Sequence, residues 1–92
     1  MLTLQDVCHA LGRLQESAEY QALAEPPMTD DVFLAFWQEV NITRTRCLST
    51  PPNAATVTEI HDRLIRLHHM TVGALARFRP QVEAAQAVLA AL

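Results

Sequence analysis

The sequence contains no lysine. All seven of its basic residues are arginine, and against ten acidic residues they leave a formal net charge of −3. A surface that neutralises several phosphates needs a concentrated basic patch. No window here supplies one, which argues against nucleic acid as a partner. Glycine is scarce at two residues, and a charged fraction of 18% beside a hydrophobic fraction of 50% is the opposite of a disordered composition. No apolar run approaches the roughly 20 residues that span a bilayer. Asp6, Arg13, Glu16 and Glu19 interrupt the N-terminal stretch where a secretory signal would be continuously apolar, so the expected compartment is the cytoplasm, away from membrane. The two cysteines, Cys8 and Cys47, are too few and too far apart for a zinc framework or a disulfide-rich scaffold. A Gly-rich phosphate loop, a nucleophile elbow and a Cys-His pair on a shared loop are all missing. Neither a cofactor, a metal nor a catalytic residue is therefore expected.

What is present points to helices. The 92 residues suit one domain, 1–92, and the alanine and arginine bias is that of a GC-rich, bacterial genome. Proline is the punctuation. Pro26-Pro27, Pro51-Pro52 and Pro80 each remove a backbone donor and clash with a preceding helical turn, dividing the chain into four segments. The expected fold is all-α, a small antiparallel three- to four-helix bundle.

The first segment opens on Thr3-Leu4-Gln5-Asp6, a capping-box pattern in which Leu2 and Val7 form a hydrophobic staple. Apolar residues at 4, 7, 11, 14 and 18 keep to one face, predicting a helix over about 4–24. The second start places Thr29 as cap, Asp30 and Asp31 against the positive end of the helix dipole, and Met28 as a staple onto Phe33. That helix, about 30–48, carries an aromatic-rich stripe of Phe33, Phe36, Trp37, Val40 and Cys47. Thr56-Val57-Thr58-Glu59 repeats the capping-box pattern. Val57, Ile60, Leu64, Leu67, Thr71, Ala74 and Phe78 then hold the spacing of a packed seam, predicting a third helix over 57–78. Arg79, preceding proline, is pushed away from α geometry, and Pro80 suits the first position of a fourth helix, 80–92. One long, kinked helix is the alternative. Asn41-Ile42-Thr43 matches a glycosylation sequon but falls inside the second helix and reads as chance.

If the first two helices form a hairpin about Pro26-Pro27, residues whose numbers total about 55 lie at one height. Cys8 and Cys47 meet that condition. Two inert core thiols and a disulfide or redox pair both fit this placement, the former better in a cytosol.

Histidine is the one reactive type in excess, at His9, His61, His68 and His69. His61 and His68 share a face but sit about 10 Å apart along the axis, too far to grip one metal ion. Glu59 and Asp62 are well spaced as ligands, yet no Glu-x-x-His pair and no matching set on another helix accompany them.

Over five residues, His69-Met70-Thr71-Val72-Gly73 resembles the His-to-Gly spacing of histidine phosphotransfer domains, in which the glycine makes room for a docking response regulator. Thr71 stands where that family has Leu, and Val72 where it has a basic residue. Arg63-Leu64-Ile65-Arg66-Leu67-His68 is similar to the Arg-x4-His spacing of HEPN ribonucleases, with Leu64 where a polar residue is usual. Either resemblance implies a histidine-dependent helical bundle, catalytic or phosphotransferring, resting on Arg63 with His68 or on His69.

The apolar arc of the third helix carries the favoured reading. With about 100° per residue, His61 and His68 flank the seam while Ile65 and Val72 lie about 100° round from its centre. That arc exceeds the face a three-helix core needs, so either the fourth helix, with Val82, Val88, Leu89 and Leu92, folds back over it or another chain covers it. The expectation is a non-catalytic protein–protein interaction module, a small bacterial regulator, antiactivator or chaperone. It would bind a partner or itself, as a homodimer, through His61, Ile65, His68 and Val72. Histidines in such a contact would also make it sensitive to pH.

Overall fold

A computed structural model describes all 92 residues, and its secondary structure is all helical, with no strand. It contains α1 (Leu4–Glu16), α2 (Ala18–Ala24), α3 (Asp31–Ser49), α4 (Ala54–Met70), a 3-10 helix (Gly73–Phe78) and α5 (Arg79–Ala90). The four longer helices each touch two others. α1 lies against α3 and α5, α3 also against α4, and α4 against α5, with short α2 on α1 and α3. Between them are buried Val7, Leu11 and Leu14 of α1, Phe33, Phe36 and Val40 of α3, Ile60, Leu64 and Leu67 of α4, and Val82 and Ala85 of α5.

Start and stop chemistry explains where the elements differ from expectation. The first helix does not run unbroken to 24, because Ser17 interrupts it. The Ser17 hydroxyl donates to the Leu14 carbonyl at 2.9 Å and accepts from the Tyr20 amide at 3.3 Å, closing α1 and opening α2. A serine that satisfies backbone groups locally competes with the helical ladder in this way. The break turns Tyr20 into the core, edge-on to Phe33 with ring centroids 5.2 Å apart.

At α3 the cap is Asp30, not Thr29, its Oδ1 accepting from the amides of Val32 and Phe33 at 3.0 and 3.1 Å. At α4 the cap is Asn53, not Thr56. Its Oδ1 takes the Thr56 amide at 2.9 Å and the Thr56 hydroxyl at 3.2 Å, so the helix begins at Ala54 and Thr56 is buried. At the N-terminus of α1 the expected reciprocal pattern is present, the Asp6 carboxylate accepting from the Thr3 amide at 2.6 Å.

The largest departure is at the end of α4, which stops at Met70 instead of continuing to Phe78. The Thr71 hydroxyl donates to the His68 carbonyl, and Gly73 adopts φ +57°, a left-handed conformation that ends helices. The 3-10 turn that follows buries Leu75 and leaves Ala74 exposed, reversing the expected seam there. The last helix is therefore separate from α4. Arg79 is helical (φ −58°, ψ −43°) despite preceding proline. Its guanidinium, donating to the Thr71 carbonyl at 2.6 Å, ties the start of α5 back to the end of α4.

Candidate functional site

The two flanks of α4 have different chemistry. Toward α3 it presents an ion-pair ladder. Arg46 of α3 grips both oxygens of Glu59 at 2.7 Å, Arg63 reaches Glu59 at 3.0 Å and Glu39 of α3 at 3.1 Å, and Arg66 reaches Glu39 at 3.3 Å. These partners push Glu59 down to about 2, the hydrogen bond from Arg46 first and that from Arg63 next, while the same contact raises Arg46. On this flank three arginines alternate with two glutamates in one continuous structural contact.

Toward α5 the surface is open. A groove of about 470 Å³ runs between the first half of α4 and the end of α5, lined by Val57, Thr58, His61 and Leu64 on one wall and Gln86, Leu89 and Ala90 on the other. His61 is exposed, its Nδ1 3.5 Å from Asp62 Oδ1. Ile65, one turn on, keeps 36% of its surface in solvent. His68, one turn beyond Leu64 and outside the groove's lining, has its Nε2 3.2 Å from Glu83 of α5. The α5 helix does fold back over α4, burying Leu64 and Leu89, yet it leaves Ile65 uncovered.

Of the four residues expected to form one surface, His61, Ile65 and His68 share this flank and Val72 does not. Val72 lies past the end of α4 in an extended conformation, 60% exposed, so its helical angle no longer applies. Reading the sequence missed Gln86 and Ala90, the opposite wall. Their register depends on where α5 begins, which the tie from Arg79 to Thr71 sets.

Neither histidine constellation is brought together. Arg63 faces α3, bonded to glutamates, while His68 faces α5, about 140° round the helix at five residues' separation. His69 is exposed on the last turn of α4, while Gly73 lies beyond the helix, in the turn that follows it. No group of three or more His, Cys, Asp or Glu side chains stands close enough to hold a metal ion.

Cys8 and Cys47 are both buried and free, in the same core between α1 and α3. Arg44, one turn before Cys47 on α3, donates from Nε to Cys8 Sγ at 3.4 Å. Gln15 of α1 bonds Asn41 of α3 at 2.8 Å, continuing the same register toward the hairpin end.

No protein-family model matches the chain, and no curated protein or solved structure is significantly similar to it. No helix is long and apolar enough to cross a membrane.

Proposed function

We propose that the chain is a non-catalytic protein–protein interaction module of the bacterial cytoplasm, an antiparallel helical bundle that binds a partner protein or a second copy of itself along the α4–α5 flank. The observation that supports this reading is the groove of about 470 Å³ with apolar Val57, Leu64, Leu89 and Ala90 in its walls and the uncovered Ile65 beside it. Apolar surface left beside a concave, helix-lined groove suits an amphipathic partner segment. His61, in the α4 wall of the groove, and His68, beyond it on the same flank, would supply polar contacts.

The test compares the wild-type chain with Ile65→Asp and, as a control on an exposed apolar residue elsewhere, Val32→Asp, which stands at the start of α3. Sedimentation over a range of concentrations reads self-association, and co-purification from the native host reads a partner. The expected result is a complex kept by Val32→Asp and lost by Ile65→Asp. A complex indifferent to Ile65→Asp, or a chain that is monomeric and partnerless under both measurements, overturns the reading.

A further inference from the structure

We infer that Cys8 and Cys47 are a latent disulfide, a site of reversible oxidation that clamps α1 to α3. This is independent of the α4–α5 groove, which neither cysteine lines.

Three observations carry the inference. The first is register: Gln15 meets Asn41, and on these oppositely running helices seven residues back along α1 and six forward along α3 bring Cys8 and Cys47 to nearly one height, both in the core between the two helices. Packed helix axes are about 8–10 Å apart and their Cα atoms lie about 2.3 Å from the axis. Residues that face one another across such a contact therefore fall near the roughly 4.4–6.8 Å Cα separation a disulfide takes. The second is the Arg44 guanidinium, which donates to Cys8 Sγ and, from one helical turn away, also faces Cys47. That places a positive charge beside the sulfurs that carry the reaction's negative charge as each attacks. The third is access. Cys47, although nearly buried, lines a cavity of about 300 Å³ between the start of α1 and the end of α3, together with Thr3, Leu4, Gln5, Leu48 and Thr50. A small peroxide fits that space.

The chemistry balances with a hydroperoxide as oxidant. The Cys47 thiolate attacks a peroxide oxygen, the O–O bond breaks, and hydrogen peroxide leaves one hydroxide and a sulfenic acid. The Cys8 thiolate then attacks Cys47 Sγ, forming the S–S bond and expelling a second hydroxide. The protons given up by the two thiols convert both hydroxides to water, so two thiols are oxidised by two electrons and one peroxide is reduced. Burial, then the neighbouring Cys8 and Glu59, hold the Cys47 thiol up at about 11 against the opposing pull of Arg44. Oxidation is accordingly slow at neutral pH and quickens as pH rises. The closed loop joins residues far apart in sequence, so the oxidised chain unfolds at a Tm higher by on the order of 10 °C.

The experiment treats the reduced, folded chain with hydrogen peroxide, blocks remaining thiols with iodoacetamide, and digests with trypsin without reduction. Because every basic residue is arginine, cleavage releases Cys8 within residues 1–13 and Cys47 within residues 47–63. The expected product is those two peptides joined, from a monomeric chain that has lost two hydrogens, formed faster at pH 9 than at pH 7 and reversed by dithiothreitol. Linkage that appears only when the chain is first unfolded in guanidinium, linkage between two chains, or oxidation that stops at sulfinic acid on one cysteine overturns the inference.

Discussion

Arg46 reaches from α3 to hold both carboxylate oxygens of Glu59 on α4, Nε to Oε2 and Nη2 to Oε1, each at 2.7 Å. Paired, parallel hydrogen bonds of this kind fix orientation as well as charge. Arg63 binds the same carboxylate from its own helix, one turn further on, and passes to Glu39, so the α3–α4 contact is keyed along its length by alternating charges.

The first prediction follows from that pair and its sign is determined. Glu59 is pushed from an ordinary 4.5 to about 2 in the folded chain. A depressed carboxylate contributes stability that is present above its unfolded value and lost as pH falls through the folded one. Glu59→Gln should therefore lower Tm by a few degrees at pH 7. The difference from wild type should shrink between pH 4.5 and about 2 and vanish below. Thermal melts across that range check it, and a difference that stays constant with pH would show that the pair carries no charge-dependent stability.

Gly73 supports a second prediction. Its φ of +57° is left-handed, while an added Cβ would meet nothing within 4 Å. Space is not the constraint, so the cost of a side chain is purely conformational. Gly73→Ala should destabilise by about 1–2 kcal/mol, and Gly73→Asn by less, since Asn tolerates that region. Denaturant titration of the two variants measures both. Equal costs would show that something other than backbone geometry is at stake.

Most of the helical content was legible in the sequence, and the places where it was not share one cause. The apolar spacing at 4, 7, 11 and 14 and the Asp-rich start of α3 are local signals that tertiary structure only amplified. Asn53 and Ser17 are polar residues whose side chains choose between helix and turn. That choice depends on whether Thr56 and Tyr20 are drawn into the core, which no local pattern reports. Thr71 with Gly73 ended α4 where the seven-residue spacing continued through to Phe78, because one left-handed glycine outweighs a periodic pattern. That His61, Ile65 and His68 share one flank was legible because all three sit inside an unbroken helix. Val72, Gln86 and Ala90 depended on the turn between α4 and α5 and were not.

The Ser17 break gives a third prediction. Its hydroxyl serves both helices it separates. Ser17→Ala removes the acceptor for the Tyr20 amide and should cost about 1 kcal/mol. Ser17→Asp, which restores an acceptor and adds charge at the α2 N-terminus, should recover part of it. Amide exchange at Tyr20 and Gln21 reports the cap directly. Exchange unaltered by Ser17→Ala would mean that burial of Tyr20, not the cap, holds α2 in place.

Tyr20 yields the least intuitive prediction. Its ring stands among Phe33, Phe36 and Phe78, edge-on to Phe33 and Phe78 at 5.2 and 5.8 Å. Its hydroxyl is buried without a hydrogen-bond partner. Gln15, the polar side chain beside it, is already committed, Nε2 to Asn41 and Oε1 to Arg44. Burial of the phenol raises its pKa; the nearby Gln15 amide and the Arg44 charge oppose this, without either closing a hydrogen bond of good geometry to the oxygen. An unpaired buried hydroxyl costs free energy that a phenylalanine of the same shape does not. Tyr20→Phe should therefore leave the fold unchanged and raise stability by about 1 kcal/mol, whereas most core substitutions lower it. Equilibrium unfolding in urea decides the matter. A loss of stability would place a hydrogen bond from the phenol to Gln15 in solution and make Tyr20 a strut between α2 and α1.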